Sequence, residues 1–118
     1  MRAQMKEIAD AANMYFLNEG NGYNYAPDSG GGVAPAFVPE YLASWPTPPY
    51  SGSCYDYDNW DPNRGGSSCN GCYGGNNGYK VEIDEAAPCN GTAHYTWCIY
   101  TEPGSACGPG DTTIVNTQ

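Results

Sequence analysis

Oxygen-bearing side chains cluster within one stretch of the chain, which holds Asp56, Asp58, Asn59 and Asp61. Carboxylate and amide oxygens are the ligands that calcium prefers, and alternate positions of a strand lie on one face of a sheet. The stretch is not an EF-hand, because the positions that need Gly and Glu hold other residues. It therefore predicts either a calcium site or a solvated acidic face, and Asp84 and Glu85 could complete the site if the next strand pairs alongside.

The chain has six cysteines, namely Cys54, Cys69, Cys72, Cys89, Cys98 and Cys107. Cys69 and Cys72 have the Cys-x-x-Cys spacing of zinc sites and thiol oxidoreductases, but a zinc site needs a second close pair. A redox motif needs a strand-to-helix setting, whereas this one lies in a Gly/Asn loop. We therefore expect structural disulfides, with Cys54 or Cys98 bonded to a cysteine of the loop after the first strand and the pairing otherwise open.

The residue types that enzymes use are sparse. His94 is the only histidine, and no Ser-His-acid arrangement can be assembled around it from the sequence. The Gly-rich stretches lack the Lys and the strand-loop-helix setting of phosphate-binding loops. We expect no catalytic residues, no enzymatic activity and no cofactor other than calcium.

Aromatic residues have two possible roles. Exposed rings beside Asp and Asn are typical of sugar recognition, and four rings could form such a platform: Trp45, Trp60, Tyr73 and Tyr95. Alternatively the rings replace aliphatic side chains in the core, because Leu, Ile, Val and Phe supply only 12 residues while the chain has 11 Tyr and 3 Trp. The second interpretation predicts a small aromatic core cross-linked by disulfides.

Charge and cysteine content limit the partners and the compartment. The net charge is −9, and only Arg64 and Lys80 are basic after residue 20, which argues against nucleic acid and anionic membranes as partners. Six cysteines in a small Tyr- and Gly-rich chain are typical of an oxidising compartment. We therefore expect an extracellular, cell-surface or periplasmic location.

Residues 1–20 have the periodicity of an amphipathic helix, with an apolar stripe formed by Met5, Ile8, Ala12 and Tyr15. The start of this helix has no capping residue, and Arg2 and Lys6 oppose the helix dipole in its first turn. We therefore expect residues 1–20 to be the lower part of a longer helix.

The rest of the chain predicts a small sheet in a single domain of residues 1–118. Residues 21–52 form a Gly- and Pro-rich connecting loop, and residues 53–118 form the sheet and its loops. Strands are predicted at 53–60, 79–83 and 94–101, with a possible short strand at 112–115. The third strand is the most apolar and is expected in the middle. The fold class is α+β: one long N-terminal helix packed on a small antiparallel sheet of three to four strands, loop-rich and disulfide-stapled.

Three segments follow one another in an order known from one protein family. An Ala-rich helix continues into a Tyr and a Gly-bounded turn at 11–23, a Tyr-Leu precedes a Pro-rich segment at 41–49, and Tyr alternates in the strand at 54–57. Together with the strand at 97–102, these segments resemble the periplasmic part of type IV pilins and type II secretion pseudopilins. The chain departs from the family in the turn after the helix, and the family's methylated N-terminus is absent.

The resemblance implies a structural subunit of an extracellular or periplasmic filament, either a pilus or a secretion pseudopilus, which acts by assembly with identical or homologous subunits. An apolar helix ahead of residue 1 would hold the precursor in the inner membrane, and without it the chain should be soluble and unable to polymerise. The helix stripe would dock on the sheet face carrying Tyr55, Val81 and Ile99. Major pseudopilins bind calcium in the loop after the corresponding strand. The alternative function is a secreted, disulfide-stapled binding module for carbohydrate or surface adhesion.

Overall fold

The computed structural model describes residues 1–67 and 79–101. These residues form helix α1 (Arg2–Asn18) and strands β1 (Cys54–Asn59), β2 (Lys80–Ala86) and β3 (Ala93–Thr101), with a short 3-10 helix at Pro62–Arg64. The strands pair antiparallel in the order β1-β2-β3. One N-terminal helix packed on a three-stranded antiparallel sheet confirms the predicted α+β class. The strand predicted at 112–115 lies outside the described residues.

Helix α1 buries one face against the sheet, and the buried side chains are Met5, Ile8, Ala9, Ala11 and Ala12. Tyr15 is half-buried and packs against the same cluster. No side chain caps the first turn. At the other end the amide of Gly20 donates to the carbonyl of Tyr15, and Asn21 and Gly22 take positive φ, which turns the chain away. No helix in residues 1–67 and 79–101 is both long and apolar enough to cross a membrane.

Aromatic rings fill much of the core between α1 and the sheet. Tyr55, Tyr57 and Trp97 are buried on the face of the sheet that meets the helix, together with Val81 and Ile83. The Tyr57 hydroxyl donates to the carbonyl of Ala26 at 2.9 Å, and the Tyr55 hydroxyl donates to Oε1 of Gln4 at 2.5 Å. Each buried phenol thus has an acceptor, so the rings contribute apolar surface without leaving a hydroxyl unpaired.

The strand order differs from the prediction that the third strand lies in the middle. Strand β2 is central and all of its residues are buried, although Lys80, Glu82 and Asp84 are among them. Apolar content was a misleading guide here, because the side of the sheet away from the helix is also buried but polar. Strand β3, the most apolar, pairs with β2 alone among the described strands.

A disulfide joins Cys54, at the start of β1, to Cys89 in the connection between β2 and β3, with a Cα–Cα distance of 5.1 Å. Cys54 is one of the two cysteines predicted to bond to the loop after β1, but its partner Cys89 follows β2 instead. Cys98 is also disulfide-bonded. The remaining cysteines, Cys69, Cys72 and Cys107, lie outside the described residues.

Candidate metal centre

Strand pairing brings carboxyl groups together on the side of the sheet away from α1. Alternation along β1 directs Tyr55 and Tyr57 to the helix and Asp56 and Asp58 to the opposite side. In the β1–β2 register Asp56 lies opposite Asp84. Side chains that face each other across an antiparallel pair have Cβ atoms about 4.5–5.5 Å apart, so these carboxyl groups must interact.

The carboxyl oxygens of Asp56, Asp58 and Asp84 lie within 4.8 Å of one another. Asp58 and Asp84 are buried and Asp56 is half-buried. Oδ1 of Asp56 is itself inaccessible to solvent and has no hydrogen-bond partner among the described residues. From strand β3, the Thr96 hydroxyl donates to Oδ1 of Asp84 at 2.6 Å and fixes that side chain. The three groups, hereafter the acidic cluster, therefore converge on one point.

The acidic cluster lines a cavity of about 300 Å³. Further described residues of its wall are Trp60, Ala86, Asn90, Gly91 and Ala93. The indole Nε1 of Trp60 is buried without a hydrogen-bond partner in the part of the chain that the structure describes. The cavity therefore has polar groups on its wall and room for several water-sized ligands.

Burial and mutual repulsion disfavour the ionised form of these carboxyl groups. Burial raises the pKa of Asp56 to about 7, and the negative charges of Asp84 and Asp28 add to the effect. Burial also raises the pKa of Asp58 well above its usual range, with repulsion from Asp56 and a hydrogen bond with Asp84 as further causes. A divalent cation would offset this cost, since it attracts the charged form of all three groups.

A buried ion pair lies next to the acidic cluster on the same side of the sheet. Lys80 Nζ is 3.0 Å from Oε2 of Glu82, and both side chains are buried. Glu82 faces Asp58 across the β1–β2 pair and its charge contributes to the raised pKa of Asp58. The face of the sheet away from α1 therefore holds a buried cation as well as buried carboxyl groups.

Two of the four residues predicted as calcium ligands have other tasks. Nδ2 of Asn59 donates to the carbonyl of Ala26 at 3.0 Å, and Oδ1 of Asn59 accepts from the Asp61 amide at 3.1 Å. Oδ1 of Asp61 accepts from the Asn63 amide at 2.9 Å and caps the 3-10 helix. These side chains hold the turn after β1. The signal was present in the sequence for Asn59, because its odd position in β1 places it on the face of Tyr55 and Tyr57.

Asp84 and Glu85, which the sequence offered as further ligands, point to opposite faces of the sheet. Asp84 joins the acidic cluster, whereas Glu85 points to the helix side, where it lies opposite Tyr55. The Glu85 carboxyl accepts from the hydroxyl of Ser53. Nδ1 of His94 lies 3.9 Å from Oε1 of Glu85. Glu85 therefore belongs to a different environment.

The aromatic residues predicted as a sugar platform lie in different surroundings. Trp45 packs on Phe37 with ring centroids 6.1 Å apart, and its Nε1 donates to the carbonyl of Tyr55 at 3.2 Å. Trp60 lines the cavity of the acidic cluster, and Tyr95 lines a second cavity. Tyr73 lies outside the described residues. Trp45 thus supports the core, and the other two described rings line separate cavities.

No protein family, curated protein or solved structure matched the chain. Three carboxyl groups offer hard oxygen ligands, which suit calcium better than the softer metals that prefer nitrogen and sulfur. The arrangement can hold a hard divalent cation between β1 and β2.

Proposed function

We propose that this protein is a structural subunit of an extracellular or periplasmic filament of the type IV pilin or pseudopilin kind. It acts by assembly with identical or homologous subunits. The observation that carries the proposal is the placement of α1, which packs one face on the sheet while the outer face keeps apolar side chains in solvent. Met14 is 47% exposed and Leu17 is 63% exposed.

Met14 and Leu17 lie three positions apart and so form one patch on the helix surface. Tyr23, just beyond the helix, is also exposed. Burial of apolar surface contributes about 25 cal/mol per Å², so contact of this patch with a neighbouring subunit would favour assembly. A helix that holds the domain by one face and a neighbour by the other is the arrangement that the resemblance implies.

The encoded precursor gives the direct test. The proposal requires a short basic leader, a cleavage site and about 20 apolar residues ahead of Met1, since that length spans a membrane. The measurement is the sequence of the open reading frame upstream of residue 1. A conventional signal peptide with a small-residue cleavage site would contradict the proposal.

We also propose that the acidic cluster binds calcium. The observation in favour is the convergence of three carboxyl groups together with the buried, unpaired Oδ1 of Asp56. Asp56, Asp58 and Asp84 would hold the ion. Its positive charge would offset the repulsion between the carboxylates of β1 and the carboxylate of Asp84 in β2. Calcium titration followed by thermal unfolding tests this, and an unchanged melting temperature at millimolar calcium would overturn it.

A further inference from the structure

The second cavity has a buried carboxyl group in its wall. It measures about 280 Å³ and its described lining is Tyr50, Glu85, Ala87, His94 and Tyr95. The side chain of Glu85 is only 1% exposed. Oε2 of Glu85 accepts from the Ser53 hydroxyl, whereas Oε1 has no hydrogen-bond partner in the described ranges. A buried acceptor without a donor costs free energy, and a ligand that supplied a donor would remove that cost.

The Tyr55 hydroxyl and two buried or stacked cations of the described chain have other partners. The hydroxyl of Tyr55, across the strand pair from Glu85, donates to Gln4. Arg64 stacks over the ring of Tyr100 at 4.3 Å, and Lys80 pairs with Glu82. His94 Nδ1 is 3.9 Å from Oε1 of Glu85, which is too long for a hydrogen bond, and its side chain is 55% exposed at the cavity rim.

We propose that this cavity binds a primary alkylammonium group, with Oε1 of Glu85 as its acceptor and Tyr50 and Tyr95 as its aromatic walls. The electron-rich faces of tyrosine rings attract a positive charge, so these walls would add to the ion pair. The cavity is large enough for a short alkyl chain, since a water molecule occupies about 30 Å³.

The hydrogen bond from Ser53 to Oε2 of Glu85 limits which cationic groups can bind this carboxylate. A guanidinium binds a carboxylate best through two parallel hydrogen bonds, which need both oxygens, and Ser53 already uses one of them. An ammonium is a compact charge that needs a single acceptor. A quaternary ammonium has no N–H to donate and would leave Oε1 unpaired. The geometry therefore favours a primary amine over an arginine side chain or a choline-like group.

The test uses the 118-residue chain with n-butylammonium chloride as probe and n-butanol and tetramethylammonium chloride as controls. We expect saturable chemical-shift changes at the amides of His94 and Tyr95 with n-butylammonium, and binding at least tenfold weaker with both controls. Glu85→Gln should weaken binding at least tenfold, whereas Glu40→Gln, at an exposed carboxyl, should leave it unchanged. Equal binding of n-butanol, or wild-type affinity in Glu85→Gln, would overturn the proposal.

A second variant keeps the test valid if Glu85→Gln does not fold. Tyr50 is exposed at the rim, so Tyr50→Ala should fold and should weaken n-butylammonium binding about three- to tenfold. Unchanged affinity in Tyr50→Ala would contradict the aromatic wall. A blocked lysine, N-acetyl-lysine methylamide, distinguishes the sources of the amine, because tighter binding than n-butylammonium points to a protein side chain and equal binding points to a free amine. The filament proposal is independent of all these outcomes.

Discussion

Asp56 and Asp84 face each other directly across the β1–β2 pair, with Asp58 beside them, and their carboxyl oxygens lie within 4.8 Å. Like charges in this relationship normally destabilise an antiparallel pair. Here one of the oxygens, Oδ1 of Asp56, is also buried without a partner among residues 1–67 and 79–101. Protonation or a bound cation can offset this repulsion. Protonation stabilises the fold at low pH, whereas a cation binds the ionised carboxylates and therefore stabilises it at higher pH when calcium is present.

Calcium should raise the melting temperature of the wild-type chain through the acidic cluster. A ligand that binds only the folded state at 100 times its Kd stabilises it by about 2.7 kcal/mol, which corresponds to roughly 10 °C or more for a domain of this size. Asp84→Asn removes one ligand and should abolish most of the shift, whereas Glu7→Gln, an exposed change on α1, should retain it. The measurement is thermal unfolding in EDTA and in 1 mM calcium. An equal shift in both variants would place the ion elsewhere.

In EDTA the stability of the chain should fall as pH rises. The pKa of Asp56 is 3.8 when unfolded and about 7 when folded, so folding opposes its ionisation. The contribution of Asp56 therefore costs no stability below pH 4, grows more unfavourable between pH 4 and 7 as Asp56 ionises in the unfolded chain, and reaches its full cost above pH 7.

Asp56→Asn isolates this effect. The variant should be more stable than the wild type at pH 8 in EDTA by about 1–2 kcal/mol, less than the full linkage value because Asp56 is only half-buried, and should show no such gain at pH 3.5. Saturating calcium should reverse the order at pH 8. Urea unfolding at the two pH values checks both statements, and a pH-independent difference would contradict them.

Sequence periodicity predicted which residues of β1 share a face, but the residues of β2 that face them are known only from the β1–β2 register. Alternating Tyr and Asp in β1 correctly indicated a strand with two unlike faces, and hence that Asp56 and Asp58 lie together. Proximity along the chain was a poorer guide, because Asp61 caps a turn whereas Asp84, 28 positions from Asp56, faces it. Pairing between distant strands depends on the packing of the whole sheet, which a local pattern does not contain.

Strand ranking by apolar content was inadequate for a related reason. It assumed that a central strand is apolar on both faces, as in sheets covered by helices. In this protein the face of β2 that points away from the helix is also buried, but it carries polar side chains. They include Asp84 and the ion pair between Lys80 and Glu82. The environment of Glu85 was likewise invisible in the sequence, because it depends on Ser53 and His94, which lie in other segments.

Gly20 fixes the turn that ends α1, and Gly20→Ala should be strongly destabilising. A Cβ at this position would overlap the carbonyl oxygen of Asn24, a backbone atom that cannot move aside without displacing the turn. We expect a loss of about 2–3 kcal/mol, in the range of overpacking in a rigid site. Gly30→Ala is the matched control, because its Cβ would meet only a side-chain methyl group of Val33 at 3.6 Å. Chemical denaturation measures both, and equal losses would refute a specific role for Gly20.

Leu17 should matter for assembly and not for folding. Its side chain is mostly exposed at the end of α1, so Leu17→Asp costs the isolated domain little, while in a filament it would place a charge in an apolar contact. Asn18→Asp is the matched control, because it adds the same charge to the same turn of the helix at another exposed position. Both variants would be introduced into the full-length precursor in its native host.

The readouts are filaments counted by immunoelectron microscopy and the melting temperature of the purified domain. We expect Leu17→Asp to reduce filament number at least tenfold and Asn18→Asp to leave it near the wild-type level, with melting temperatures within a few degrees of each other. A surface charge changes stability by only about 0.5 kcal/mol, so a loss confined to Leu17→Asp reports the contact. Normal filaments with Leu17→Asp would exclude this face of α1 from the interface, because an aspartate buried there without a partner would cost several kcal/mol.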